Sequence, residues 1–119
     1  MSKIFVTGAT GLIGTKLTKR LLEEGHDVAG FTTSENGKNK LESANVKAYI
    51  GDILKYDTIE AAIADFQPEI IINQITDLKN VDMAANTKVR VEGSKNLIDA
   101  AQKYNVKKVI AQSLSLIHI

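Results

Sequence analysis

The stretch Thr7-Gly8-Ala9-Thr10-Gly11-Leu12-Ile13-Gly14 is the most informative part of this chain. It follows a short apolar run, Ile4-Phe5-Val6, and opens a segment whose apolar residues have helical spacing. Glycines at every third position between a strand and a helix are typical of a dinucleotide-binding turn, because a pyrophosphate can approach a backbone without Cβ atoms. The phosphates then meet the free N–H groups and the positive dipole end of the helix.

Each glycine of this motif has a predicted role. Gly8 would make the tight turn, Gly11 would lie under the pyrophosphate, and Gly14 would let the helix pack on the sheet. The alternative is an ordinary strand-to-helix loop that uses glycine for geometry alone. The strand and helix patterns that follow favour the dinucleotide interpretation, because a glycine triplet is informative only in that context.

Composition narrows the class of protein. The 119 residues are enough for one small domain, and 44% apolar with 24% charged residues is typical of soluble globular proteins. A net charge of +1 gives no electrostatic case for binding nucleic acid or a membrane. The absence of cysteine excludes disulfides and thiolate metal sites, and we predict no metal site. The N-terminus has no signal-like or membrane segment, so we expect a cytoplasmic protein.

Strand and helix patterns alternate along the chain. The predicted strands are 3–7, 27–32, 46–50, 69–73 and 107–111, and the predicted helices are 12–24, 57–66 and 83–104. Segment 33–40 is predicted to be a polar loop that turns at Asn36-Gly37, and Asp57 is predicted to cap its helix. Short apolar strands flanked by helices predict an α/β fold with a parallel sheet. Right-handed crossovers then give a Rossmann-like, doubly wound sheet with strand order 3-2-1-4-5.

The helical spacing also predicts buried faces. On the first helix these are Ile13, Leu17, Leu21 and the neighbouring Leu22, with Gly25 ending the helix in a left-handed conformation. On the second helix they are Ile59, Ala62, Ile63 and Phe66, and on the third Val89, Gly93, Leu97 and Ala101.

Polar residues follow the second predicted strand, where a dinucleotide would place its adenosine ribose. No acid stands at the tip of this strand, and Glu35 follows slightly late. Thr33, Ser34, Lys38 and Lys40 could instead surround a 2′-phosphate, which leans toward NADP rather than NAD. The alternative is a solvated polar loop, which for the two lysines is favoured.

Further polar residues follow the other strands. Asp52 could accept a hydrogen bond from the adenine amine, with Ile53 against the ring, although a turn or cap aspartate is an equal alternative. Gln74 lies where the ribose and nicotinamide would pass, and Ser113 closes the fifth strand. No histidine partner is placed for Ser113. Tyr49 and Tyr56 lack a lysine at the spacing of a catalytic base, and Tyr104, which has Lys108 four residues later, lies on the helix end remote from the cofactor.

Together these residues resemble the extended short-chain dehydrogenase/reductase superfamily, in particular its NAD-dependent epimerase/dehydratase branch. The matching stretches are the glycine motif, 51–53, 92–101 and 109–113, and the likeness covers residues 2–113. The resemblance implies that Ser113 lies near the catalytic serine region. It also implies cofactor contacts at Gly8, Thr10, Gly11, Leu12, Ile13, Asp52 and Ile53.

Three departures from the family pattern bear on activity. Thr33 stands where NADP-using relatives often have arginine, and Arg90 where many members have asparagine. The family's catalytic Tyr-x-x-x-Lys pair, in which the lysine lowers the pKa of an acid/base tyrosine, is expected to lie beyond these 119 residues. Relatives often form dimers through helices near the long one, which implies a possible homodimer.

The resemblance implies the NAD(P)-binding N-terminal part of an oxidoreductase, epimerase or dehydratase that moves a hydride to or from a carbonyl or sugar-like small molecule. By itself this chain would lack turnover. A non-catalytic nucleotide-binding sensor or regulator is the alternative, and a nonfunctional fragment is the third.

The end of the chain has its own interpretation. We expect residues 1–113 to form an incomplete NAD(P)-binding domain, truncated before the later strands of the sheet. Residues 114–119, Leu-Ser-Leu-Ile-His-Ile, match one reading frame of a transposon-derived sequencing adapter, which predicts a non-native tail. A genuine apolar strand continuation is the alternative.

Overall fold

The computed structural model describes residues 2–8, 12–73 and 83–111, with the backbone alone at 12–14, 83–91 and 111. Strands and helices alternate through these residues, as the sequence predicts. The strands are β1 (Lys3–Thr7), β2 (Asp27–Thr32), β3 (Lys47–Ile50), β4 (Ile70–Asn73) and β5 (Lys108–Ala111). The helices are α1 (Leu12–Glu23), α2 (Glu35–Ser43), α3 (Tyr56–Phe66) and α4 (Met83–Lys103).

The five strands form one parallel sheet in the order β3-β2-β1-β4-β5, which confirms the predicted fold class and strand order. Side chains of β1 alternate between the two faces. Phe5 joins a large cluster with α3 and α4, whereas Ile4 and Val6 join an aliphatic cluster with α1 and α2. The sheet is therefore covered on both faces, as parallel sheets generally are.

The predicted helical faces are confirmed wherever side chains are described. All four predicted α3 residues are buried, and Gly93, Leu97 and Ala101 are buried on α4. Leu17, Leu21 and Leu22 of α1 pack against the aliphatic cluster. Gly25 has φ of 88°, the left-handed conformation expected after a helix. The side chains of Ile13 and Val89 lie outside the described residues.

The predicted loop at 33–40 is wrong, because α2 occupies residues Glu35–Ser43. Ser34 adopts an extended conformation, and its hydroxyl accepts a hydrogen bond from the Gly37 amide at 3.0 Å. Leu41, only 3% exposed, packs in the aliphatic cluster. A capped first turn and one buried leucine therefore outweigh the turn preference of Asn36-Gly37.

The predicted cap at Asp57 is also wrong. The N-cap of α3 is Lys55, which makes no side-chain capping bond, and Asp57 lies in the first turn. A carboxylate there still interacts favourably with the helix dipole. Glu60 does not close a capping box and instead pairs with Lys103 of α4 at 3.0 Å. Other helix and strand ends differ from the predictions by a residue, within the usual uncertainty of such boundaries.

Candidate functional site

The carboxyl ends of all five strands meet at one edge of the sheet, because every pairing is parallel. At this edge the connections after β1 and β4 leave toward opposite faces, to α1 and to α4. Open α/β sheets bind ligands in the crevice at such a switch point. The edge between β1 and β4 is therefore the candidate site.

Of the motif glycines that precede α1, Gly8 lies within the described residues. It directly follows β1 and has φ of 65°, a conformation that a side chain strains. This is the backbone predicted for a tight turn. Thr10 and Gly11 lie outside the described residues, and for Leu12, Ile13 and Gly14 the backbone forms the first turn of α1. The free N–H groups of a helix start thus follow the carboxyl end of β1.

A chain of buried polar side chains crosses the floor of the crevice. The Thr7 hydroxyl donates to Asn73 Oδ1 at 2.9 Å, and Asn73 Nδ2 donates to Ser94 Oγ at 3.1 Å. Thr7 is 1% and Asn73 6% exposed, so these bonds satisfy groups that would be costly to bury alone. The ends of β1 and β4 are thereby tied to each other and to α4. The role of Ser94 could not be predicted from the sequence, since nothing near Asn73 indicates a partner 21 residues away.

The corner after β2 differs from the predicted phosphate-binding loop. Thr33 and Ser34 are exposed at the start of α2, and Glu35 stands in its first turn. Lys38 lies near the middle of α2. Lys40 lies five residues beyond Glu35, about 8 Å along a helix axis, so the structure moves it away from the corner.

Asp52 organises the connection between β3 and α3. Its Oδ1 accepts from the Leu54 amide at 2.9 Å, and its own amide donates to Thr58 Oγ1 at 3.0 Å. The Thr58 hydroxyl in turn lies 2.9 Å from the Asp52 carbonyl oxygen. Asp52 therefore acts as a turn aspartate through Oδ1, as the alternative interpretation predicted. A carboxylate has a second acceptor oxygen, so this role is compatible with a ligand contact. Ile53 is partly buried against the large cluster.

Gly51, just before Asp52, is required by packing. An added Cβ would lie 2.6 Å from Phe31 Cζ and 2.7 Å from Thr58 Cβ, both far inside van der Waals contact. Its amide also donates to the Thr32 carbonyl at 2.9 Å, which joins the connection to β2. Sequence analysis singled out Gly51 only as part of the family resemblance, because the close approach of Phe31 arises from strand pairing.

The connection is also held from α4. Asn96 Nδ2 donates to the Ile53 carbonyl oxygen at 3.0 Å across 43 residues of sequence. Residues 51–55 are therefore tied to β2, to α3 and to α4. Sequence analysis did not predict a role for Asn96.

The described tyrosines with shifted pKa values are unlike a catalytic base. Desolvation and a 2.6 Å hydrogen bond to Asp65 raise the pKa of Tyr49, although Lys47 lies nearby and opposes the shift. Desolvation and Glu60 likewise raise the pKa of Tyr56. A tyrosine base needs a pKa lowered toward the working pH. Both tyrosines instead act in contacts between neighbouring elements.

Two predicted site residues, Gln74 and Ser113, lie outside the described residues. Within 2–8, 12–73 and 83–111, no group of histidine and acidic side chains is arranged to hold a metal ion. No helix in those ranges is long and apolar enough to cross a bilayer.

Comparison with known proteins identifies the family. The sequence model of the NAD dependent epimerase/dehydratase family matches residues 4–116. The chain is 34% identical over 120 residues to the UDP-glucose 4-epimerase of Mycolicibacterium smegmatis, covering 93% of this chain and 38% of that enzyme. Four of the curated relatives that the chain matches are spanned over only 21, 38, 34 and 38% of their lengths.

Solved structures give the same assignment. UDP-glucose 4-epimerase of Thermotoga maritima, solved with UDP-glucose, is similar with a TM-score of 0.81 at 27% identity over 93% of this chain and 37% of its own. The Thermus thermophilus UDP-glucose 4-epimerase, solved with NAD, has a TM-score of 0.79 at 26% identity over 90% of this chain and 36% of its own. The chain therefore belongs to the NAD dependent epimerase/dehydratase family.

Proposed function

We propose that this chain is the NAD(P)-binding part of an oxidoreductase, epimerase or dehydratase whose small-molecule substrate is a carbonyl compound or a sugar nucleotide. The observation that carries the proposal is the left-handed turn at Gly8 between β1 and α1, at the switch point of the sheet. The similar Thermus thermophilus structure contains NAD, and the similar Thermotoga maritima structure contains UDP-glucose.

The pyrophosphate would lie on the turn from Gly8 to Gly11 and on the N–H groups that open α1. Thr10, Leu12, Ile13 and Gly14 belong to the same turn and helix start. Such a site fits this chain, because Gly8 keeps side-chain atoms away from the turn and the helix end attracts negative charge. The cofactor supplies hydride transfer when bound, and this chain orients it.

The two ends of the dinucleotide would meet different residues. Asp52 would accept from the adenine amine through Oδ2, with Ile53 against the ring. Gln74 would lie beside the ribose and nicotinamide, and Ser113 near the substrate oxygen. The part of this proposal with structural support is Asp52, which the Leu54 and Thr58 bonds hold at the carboxyl edge of the sheet.

The corner after β2 would choose between NAD and NADP. Exposed hydroxyls of Thr33 and Ser34 at the start of α2, with Lys38 further along, favour a 2′-phosphate. Glu35 in the first turn would repel one. A preference for NADP over NAD would therefore depend on Thr33, Ser34 and Lys38, and Lys40 would not contribute to it. Exchanging Glu35 for glutamine should raise the affinity for NADPH relative to NADH.

Binding without turnover is the second candidate function for this polypeptide. The specific observation is that the pKa values of Tyr49 and Tyr56 are raised, whereas a tyrosine base needs a lowered pKa. The chain would then act as a nucleotide-binding sensor or regulator. Assaying hydride transfer to carbonyl compounds and sugar nucleotides distinguishes the two, since a sensor binds the dinucleotide and transfers nothing.

Titration with NADH and NADPH tests cofactor binding. Saturable enhancement of nicotinamide fluorescence is expected with the folded chain. Gly8→Ala should weaken binding about tenfold or more, because strain at this turn costs about 1–3 kcal/mol and displaces the phosphate cradle. Gly25→Ala is the matched control, since Gly25 is also left-handed but lies at the opposite end of α1. Equal loss of affinity in both variants, or no saturable signal with either dinucleotide, would refute the proposal.

A further inference from the structure

We propose that Asn96 of α4 is a positioning residue for adenine recognition, acting through the backbone of Ile53 on the contact made by Asp52. The inference rests on the proposed function, because it concerns how the same dinucleotide site is held. The geometry behind it is the 3.0 Å bond from Asn96 Nδ2 to the Ile53 carbonyl oxygen.

The bond joins α4 to the connection between β3 and α3, across 43 residues of sequence. Asp52 is fixed on its own side by Thr58 and Leu54, which belong to the connection and to α3. Those bonds shape the turn, and the Gly51 amide ties it to β2 at Thr32, but none of them fixes it relative to α4 and the end of β4. Asn96 supplies that reference, because α4 also bonds the end of β4 through Ser94 and Asn73.

Two residues of one helix thus bond the ends of two strands. Ser94 accepts from Asn73 beside β1, and Asn96 donates to Ile53 beyond β3. The helix α4 therefore helps to fix the separation between the glycine turn and Asp52, together with the pairing of β1, β2 and β3. A dinucleotide must span that separation with its pyrophosphate at one end and its adenine at the other, so sub-ångström control of it affects affinity.

The side chain of Asn96 suits this task. The Ile53 carbonyl is partly buried, so an unpaired oxygen there would be destabilising, and an amide is a neutral donor of suitable length. Replacement by aspartate keeps the shape but puts an acceptor against the carbonyl. The turn is then pushed away from α4 while the internal bonds of Asp52 remain.

Base discrimination provides the test. Dissociation constants are measured for NADH and for reduced nicotinamide hypoxanthine dinucleotide, in which an oxygen replaces the adenine amine. The unmodified chain should prefer NADH. Asn96→Asp should weaken NADH binding about tenfold and the hypoxanthine analogue much less, so the preference shrinks. Lys95→Ala, an exposed neighbour on α4, is the control and should leave both constants unchanged.

A purely structural role for Asn96 predicts a different result from a positioning role. A merely structural Asn96 would weaken both dinucleotides by the same factor and keep their ratio, which would overturn the inference. Asn96→Ser, which loses the long amide without adding a charge, should show the same shrinking ratio and covers the case in which Asn96→Asp does not fold. If the unmodified chain binds neither dinucleotide, the proposed function itself fails and the inference fails with it.

Discussion

The two faces of the sheet are packed with different chemistry. On the α3/α4 face the rings of Phe5, Phe31, Tyr49 and Phe66 contact one another, with centroids 5.9–6.3 Å apart. Among the residues whose side chains are described, the buried cluster on the α1/α2 face is aliphatic and smaller; it consists of Ile4, Val6, Val28, Leu41 and Val46. Aromatic side chains bury more area per residue and add specific ring contacts.

Several polar contacts between elements lie on the α3/α4 side of the sheet. Asn96 and Ser94 tie α4 to strand ends, Lys103 pairs with Glu60, and Lys47 pairs with Asp65. All of these involve α3 or α4. The helix that receives the proposed pyrophosphate is α1, on the aliphatic face. Among the described residues, the α3/α4 face has the larger cluster and supplies the rigid frame, while the proposed phosphate contacts belong to the face with the smaller cluster.

Truncation of a core side chain on each face should give the largest effect. Ile63→Ala should lower the free energy of unfolding by about 4 kcal/mol, because Ile63 is fully buried and the surrounding cluster cannot collapse onto the gap. Leu41→Ala should cost about 2 kcal/mol, since the short helix α2 can move toward the sheet. Urea unfolding measures both, and an equal or larger loss in Leu41→Ala would contradict the comparison.

The connection of the rigid face should resist added atoms. Gly51→Ala should cost about 3 kcal/mol, because the new Cβ overlaps Phe31 and Thr58. Gly25→Ala, on the α1 side, meets nothing within 4 Å and should cost only about 1 kcal/mol from its left-handed backbone.

A second variant separates overlap from other causes. Phe31→Leu removes the ring atoms that lie against Gly51, so Gly51→Ala should cost less in that background. Urea midpoints of the two single variants and the double variant measure this coupling. Strict additivity would show that steric overlap with the ring is not the cause.

The smallest effect is expected from a surface pair on the rigid face. The hydrogen bond from Tyr49, and then Lys47, lower the pKa of Asp65 below 3.8. A lowered pKa stabilises the folded state above the unfolded pKa, and this contribution is lost as the pH falls through the folded value. It is modest, because the Asp65 side chain is 61% exposed.

Asp65→Asn tests this contribution. Its urea midpoint should lie slightly below that of the unmodified chain at pH 7, and the difference should disappear as the pH falls through the lowered folded pKa of Asp65 and the carboxylate is protonated. Glu42→Gln, an exposed acid on α2, controls for the loss of one negative charge. The pairing would be refuted by a difference for Asp65→Asn that persists unchanged in acid.

Prediction from sequence succeeded where the signal is local and repeated. Four α3 positions spaced as on one helix face identify its buried side, and all four are buried. Prediction failed at residues 33–40, where contacts with distant residues outweighed a local turn signal. Asn36-Gly37 is a turn signal, yet Ser34 caps a helix there because Leu41 can reach a core built by β1, β2 and the approach to β3.

The candidate site divides in the same way. The glycine motif can be recognised because its function requires a strand, a turn and a helix in immediate succession. Gly8 directly follows β1 and has a left-handed backbone, which suits the predicted tight turn. Its cofactor contacts stay predictions, as do those of Thr33, Ser34, Asp52 and Gln74. Partners far apart in sequence, such as Asn96 and Ile53, could not be predicted, since no pattern near either residue refers to the other.

The sequence alone predicted the strand order, because short apolar strands alternate with helices and crossovers between parallel strands are right-handed. The folded chain has that order. The need for glycine at position 51, the departure of Lys40 from the β2 corner and the bonds from α4 required the folded chain. The physical reason is the distance along the chain over which each effect acts. Periodicity and turn preference act over a few residues, whereas steric overlap and hydrogen bonding depend on which distant atoms packing brings within 3–4 Å.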